Sequence, residues 1–301
     1  MVMLAQSSVA LAEFIWGGRR RRARSARSMQ IGSLDATCGG SRSFPHSQGD
    51  RAGVQPVFPI RDSVNRTRQP VVVWTIIGLN VAAFLYQLSL SEPELQAFLY
   101  QHALVPRRYF SPAWGAAHGL SPADLTPFLT NTFLHGGFLH IILNLWTLHI
   151  FGPALEDRLG PVRFALLYVL AGLAASMAHA LFNAGSAIPV LGASGAIAGV
   201  IAAYAVRFPY AWVRVLVPIL FIPVFFSIPA MLFAGIWFLT QVVAGASELF
   251  APVQGSGIAW WAHIGGFVAG WILLIVLDRT AHPAGTRHAW YNGGPWEETR
   301  R

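Results

Sequence analysis

The chain reads as an all-α membrane protein, a bundle of six transmembrane helices with a short central fourth helix. Three observations predict it. Of 301 residues, 54% are hydrophobic and 11% charged, whereas a soluble domain is about one quarter charged. Apolar segments near the ~20 residues that a spanning helix needs recur along the chain. The 21 basic residues are all Arg and lie mostly outside those segments.

Residues 1–66 are rich in Arg, Ser, Gly and Gln and contain the run Arg19 to Arg22. They read as a disordered, Arg-rich cytoplasmic tail. The apolar patch Val9 to Trp16 is too short to span, and its basic cluster follows it, the reverse of a secretory signal. Residues 67–279 form the membrane domain, with spans expected at Pro70–Leu90, Phe138–Leu155, Val162–Phe182, Ser194–Val206, Pro229–Ala246 and Ile258–Leu277. Residues 280–301 read as a C-terminal cytoplasmic tail.

The fourth span covers roughly 20 Å, less than the ~30 Å apolar slab. It therefore starts inside the membrane, after a non-helical stretch from Asn183 to Ala193 that holds Gly185, Pro189 and Gly192. Irregular backbone at such depth persists only when shielded by protein or facing a water-filled cavity. Leu216–Phe226 is apolar but interrupted by Pro218 and Pro223, and reads as a membrane-dipping or interfacial connection. The long first loop, with Pro106, Pro112, Trp114, Pro122 and Pro127, reads as an interfacial structure on the outer face. Nineteen of the 21 Arg fall on one side of the six spans. By the positive-inside rule both termini are cytoplasmic. The expected location is a bacterial inner or plasma membrane, multi-pass.

Several function classes drop out. The net charge of +8 resides largely in the tails, so nucleic acid is not the expected partner. One Cys (Cys38) excludes an intrachain disulfide framework, and the absence of Lys removes a Ser–Lys dyad. No HExxH occurs in a span, and no Asp or Glu lies within the six spans as drawn, which removes the metallo- and aspartyl protease patterns. A transporter would show a polar path across the membrane or paired broken helices; neither is present. No cofactor is implied.

The polar residues inside the spans remain, and such residues mark function by default. Ser194 lies roughly 20 Å from Arg207 along its helix, and His263 roughly 22 Å from Asp278. His140 and Asn144 lie roughly 24 and 18 Å from Glu156. Three helices thus bring a hydroxyl, two imidazoles and an amide to one level. Ser is a weak nucleophile that needs a base within reach, and His supplies one near neutral pH. Without an intramembrane carboxylate this is a Ser–His dyad. His140 and Asn144, four residues apart, share a helical face and would serve, with the Ser194 N–H, as oxyanion donors. Gly195 and Gly199 form a GxxxG, as do Gly266 and Gly270. Small residues at that spacing let two membrane helices approach closely and would bring Ser194 to His263. His135 reads as a loop-shaping residue; His149 and His179 read as packing residues.

These stretches resemble the rhomboid family of intramembrane serine proteases: His135-Gly-Gly-Phe-Leu-His140-Ile-Ile-Leu-Asn144, Gly192-Ala-Ser194-Gly195, and Ala262-His263-Ile-Gly-Gly266-Phe-Val-Ala-Gly270. Glu156-Asp-Arg-Leu-Gly160 is similar as well. The likeness covers about Gln69 to Asp278. It implies a Ser194–His263 dyad, an oxyanion site at His140 and Asn144, and single-pass membrane proteins as substrates, cleaved near the outer face of the lipid bilayer. Two positions depart from the pattern. Thr126-Pro127 stand where many members carry Trp-Arg. Ala198 stands where members often place an aromatic against the catalytic imidazole, so another residue must orient His263. The alternatives are a catalytically inactive rhomboid-like binding or quality-control factor, and a metal site built from His135, His140 and His263.

Overall fold

The computed structural model describes residues 58–219, 222–250 and 259–278. Its elements in order are β1 (Phe58–Asp62), α1 (Val71–Ser89), α2 (Glu92–His102), α3 (Arg107–Phe110), α4 (Pro112–Ala117), α5 (Pro127–Thr130) and a 3-10 turn (Asn131–Phe133). There follow α6 (Phe138–Leu159), α7 (Pro161–Phe182), α8 (Ser194–Arg207), β2 (Trp212–Ile219), β3 (Ile222–Pro229), α9 (Ala230–Phe250) and α10 (Trp260–Leu277). All six expected spans are helices. Five of them, α1, α6, α7, α9 and α10, are long and apolar enough to cross a membrane. The sixth, α8, has 14 residues, and Gly195 through Ala205 on it are all buried. It is the hub of the bundle, packed against α6, α7, α9 and α10.

Local sequence sets the ends. Gly160 has φ +81°, the left-handed backbone that stops α6. Pro161 then begins α7, where its missing N–H costs nothing. The far ends of α6, α8 and α10 meet in one ionic cluster: Asp278 Oδ2 lies 2.9 Å from Arg207 Nε and 3.5 Å from Arg158 Nε. The charged residues that mark level in the sequence are therefore level in space. Glu156, near the end of α6, accepts from the Val72 and Val73 amides at 2.9 and 2.8 Å. It satisfies orphan N–H groups in the first turn of α1.

One expectation needs correction, and another gains a definite structure. Residues 58–66 read as tail by composition, but Phe58–Asp62 pairs antiparallel with β2. Asp62 accepts from Tyr204 Oη at 2.9 Å, and Trp146 Nε1 donates to the Pro59 carbonyl at 2.8 Å. These long-range bonds hold a strand that its own residues do not announce. Residues 1–57 and 279–301, including the Arg19–Arg22 run, lie outside the described residues. The Leu216–Phe226 connection, expected to dip into the membrane or lie at its interface, takes strand form: residues 216–219 and 222–226 pair across β2 and β3 in a three-stranded antiparallel sheet ordered β1-β2-β3. Pro218 and Pro223 are partner positions across the hairpin, beyond Leu216 where pairing with β1 ends. A missing N–H is tolerated there because no third strand needs it.

The irregular stretch before α8 finds its partners in the first loop. Leu104 and Val190 exchange N–H···O bonds of 2.9 and 2.8 Å, Arg107 N donates to Ser186 O at 2.9 Å, and Gly192 N donates to Asn131 O at 2.9 Å. Backbone that could not survive bare in lipid is thereby paired. The first loop is itself pinned by Arg108, 1% exposed, which donates to Ser121 O at 2.6 Å, Gln101 O at 3.3 Å and Asp124 Oδ2 at 2.7 Å. This buried guanidinium, bonded to two carbonyls and a carboxylate, anchors the loop.

Candidate active site

The two GxxxG faces meet. A Cβ on Gly266 would overlap the carbonyl oxygen of Gly195, and one on Gly270 would overlap the backbone of Gly199. A Cβ on Gly199 would sit 2.9 Å from the Gly266 carbonyl oxygen. Only glycine on both helices permits this approach of α8 to α10. On its other flank α8 abuts α7, where a Cβ on Gly195 would lie 2.5 Å from the Ala175 Cβ.

That approach brings Ser194, the first residue of α8, to His263 on α10. His263 Nε2 is 2.8 Å from Ser194 Oγ. His263 is buried, and Ser194 is half-buried. The α8 N-terminus has no side-chain cap, so its first N–H groups are not taken up by a capping oxygen and present positive dipole ends beside the hydroxyl.

His140 and Asn144 face the turn before Ser194. Gly192 has φ +129°, and a Cβ on it would fall 2.7 Å from His140 Nε2 and 3.7 Å from Asn144 Nδ2. Glycine therefore keeps a small hollow open in front of two donors. His140 Nδ1 accepts from the Gly136 amide at 3.3 Å, which leaves the ring proton on Nε2, pointing at that hollow. Asn144 is buried, and its Nδ2 has no hydrogen-bond partner, a donor held without an acceptor. Next to Ser194 a second small cavity opens toward α7, with Asn131, Ser176 and His179 among its lining.

Of the remaining histidines singled out in the sequence, His179 lines that cavity beside Ser194, and His135 and His149 lie away from the Ser194–His263 pair. His135 is buried, edge-on to His140 at 5.1 Å, and tied through its backbone to Gln87 by bonds of 3.0 and 3.1 Å. His149 packs against Trp74 at 5.3 Å. Among the described residues no three His, Cys, Asp or Glu side chains come together as a metal-ligand set.

Sequence reasoning missed Gln241 on α9. It is fully buried, and its Oε1 lies 2.7 Å from His263 Nδ1. Trp237 and Trp260 flank the same imidazole at 5.8 and 6.4 Å between ring centres. These three side chains surround the ring that Ala198 leaves without an aromatic. The signal was present: an amide within an apolar span is as much an exception as the histidines were.

Fold and geometry together define a class: a multi-span membrane protein holding a Ser–His pair at the buried start of a short central helix. The chain belongs to the rhomboid family; the family's Rhomboid domain matches residues 122–280. It is 29% identical over 212 residues to Rhomboid protein 1, mitochondrial, of Saccharomyces cerevisiae, covering 68% of this chain and 53% of that protein. It is 30% identical over 175 residues to RHOMBOID-like protein 4 of Arabidopsis thaliana, covering 58% and 38%. It is 34% identical over 80 residues to Inactive RHOMBOID-like protein 8 of the same plant, covering 27% and 22%. The chain spans about half or less of the length of these relatives.

Proposed function

We propose that this chain is an intramembrane serine endopeptidase that cleaves transmembrane segments of single-pass membrane proteins. The observation that carries the reading is the 2.8 Å contact between Ser194 Oγ and His263 Nε2 inside a helix bundle. In this reading His263 takes the Ser194 proton as Oγ attacks a scissile carbonyl, then gives it to the leaving amine. The charge on the carbonyl oxygen is met by His140 Nε2–H, Asn144 Nδ2–H and the start of α8. The cavity beside Asn131, Ser176 and His179 offers polar partners to the water that hydrolyses the acyl-enzyme. The basic tails face the cytoplasm and the site opens toward the opposite leaflet. Mitochondrial and plant relatives mean that the host membrane need not be bacterial.

A non-cleaving, membrane-segment-binding protein is the competing reading, and one relative carries the name inactive. The retained pair at hydrogen-bond distance favours the enzyme. The test is cleavage of a labelled single-pass substrate in proteoliposomes by the wild type, Ser194→Ala and His263→Ala. Cleavage by the wild type alone supports the protease; an intact substrate in all three supports the binder.

A further inference from the structure

Gln241 makes more of the site than a dyad. Its amide orientation is fixed by its neighbours. Gln241 Nε2 donates to Thr240 Oγ1 at 3.0 Å and to the Trp237 carbonyl at 3.3 Å, while Thr240 Oγ1 itself donates to that carbonyl at 2.6 Å. Flipping the amide would set Oε1 against the carbonyl oxygen and forfeit these bonds. The oxygen therefore faces His263 Nδ1 and can only accept, so Nδ1 carries the proton and Nε2 holds the lone pair that the Ser194 hydroxyl needs. A single directed chain of donors runs from Ser194 through His263 and Gln241 to Thr240. Every proton in it has one consistent place, and each bond polarises the next.

We infer that Gln241 is the positioning residue of this site, locking His263 in the tautomer whose Nε2 accepts from Ser194. The imidazole is thereby held by a neutral amide where soluble serine enzymes use a carboxylate. An uncharged partner suits this depth, because a buried carboxylate would carry a heavy desolvation cost. The neighbouring aromatic rings contact the imidazole without accepting a hydrogen bond from it, so they limit its tilt but leave its tautomer open.

The inference rests on the protease reading for its kinetic consequence but not for its structural one, and two readouts separate them. In the 301-residue chain in proteoliposomes, Gln241→Met fills the same space without an acceptor, and Gln241→Glu in its neutral acid form keeps an accepting oxygen toward Nδ1 and an O–H donor toward the Trp237 carbonyl. Gln241→Met is expected to lower kcat about 10²-fold with KM little changed, and Gln241→Glu to recover most of the loss. In ¹⁵N spectra of the imidazole, the wild type is expected to show an unprotonated Nε2 and a protonated Nδ1, and Gln241→Met a mixture. Thermal midpoints check that both variants fold. Wild-type kcat in Gln241→Met, equal impairment of both variants, or an unchanged tautomer signal in Gln241→Met overturns the inference. Failure of the wild type to cleave, with the tautomer signals as expected, overturns the protease reading alone.

Discussion

Gly199→Ala adds one methyl group where the site can least accept it. The new Cβ would lie 2.5 Å from the Ala171 Cβ on α7 and 2.9 Å from the Gly266 carbonyl oxygen on α10. Ordinary carbon–carbon contacts are about 3.5–4.0 Å, so about 1 Å must be found on the α7 side alone. Because α8 is flanked on both sides, sliding away from α7 closes the gap to α10. The three helices must spread, and His263 travels with α10. The 2.8 Å bond from Ser194 to His263 then opens toward about 3.8 Å, beyond hydrogen-bond range. A misplacement of that size costs about 10²-fold in rate, and the overpacking costs about 1–3 kcal/mol of stability. The assay is kcat/KM on a fluorogenic transmembrane substrate in proteoliposomes, beside a thermal midpoint. Gly235→Ala on α9 is the control: its Cβ would have nothing within 4 Å, so activity should stay within about twofold. Wild-type cleavage by Gly199→Ala at an unchanged midpoint would refute the argument that glycine contact sets the catalytic distance.

Three further outcomes are expected. Asn144→Ala removes a buried, unpartnered donor and, on the proposed protease reading, should lower kcat about 10²–10³-fold with KM little changed, as single-turnover kinetics would register. Arg108→Ala should destabilise the protein by about 2–3 kcal/mol, since two loop carbonyls lose a charged donor while the half-exposed Asp124 can turn to water; chemical unfolding in detergent measures it. Asp124 is held below the usual carboxylate range by the Thr126 hydroxyl first, then by the Thr126 amide and the Arg108 guanidinium, against the opposing effect of burial. Its contribution is thus present above the ordinary Asp pKa and lost as pH falls through its lowered folded value. The drop in thermal midpoint on acidification should be smaller in Asp124→Asn than in the wild type.

Helix positions were legible because apolar length and the Gly160-Pro161 stop are local signals. The Ser194, His263, His140 and Asn144 cluster was legible because each is polar in an apolar run and each lies at a countable distance from a charged residue. Gln241 is likewise polar in an apolar run, but no motif sets it apart until α9 packs its amide against His263. The rest depends on partners far apart in the chain. Strand β1 exists because Phe58–Asp62 finds β2 some 150 residues later, and nothing in its own composition announces that. Arg108 is a single Arg in a Pro-rich loop until Ser121 and Asp124 fold over it. The stretch from Asn183 to Ala193 was recognisable as irregular, yet its stability comes from Leu104, Arg107 and Asn131, which no periodicity connects to it.

The most direct test of the account is covalent capture of the nucleophile. The 301-residue chain in detergent is treated with a monofluorophosphonate, and its intact mass and peptide map are read. The account predicts one adduct, located on Ser194, formed by the wild type and not by His263→Ala. Labelling on another residue, or equal labelling of Ser194 in His263→Ala, would contradict it.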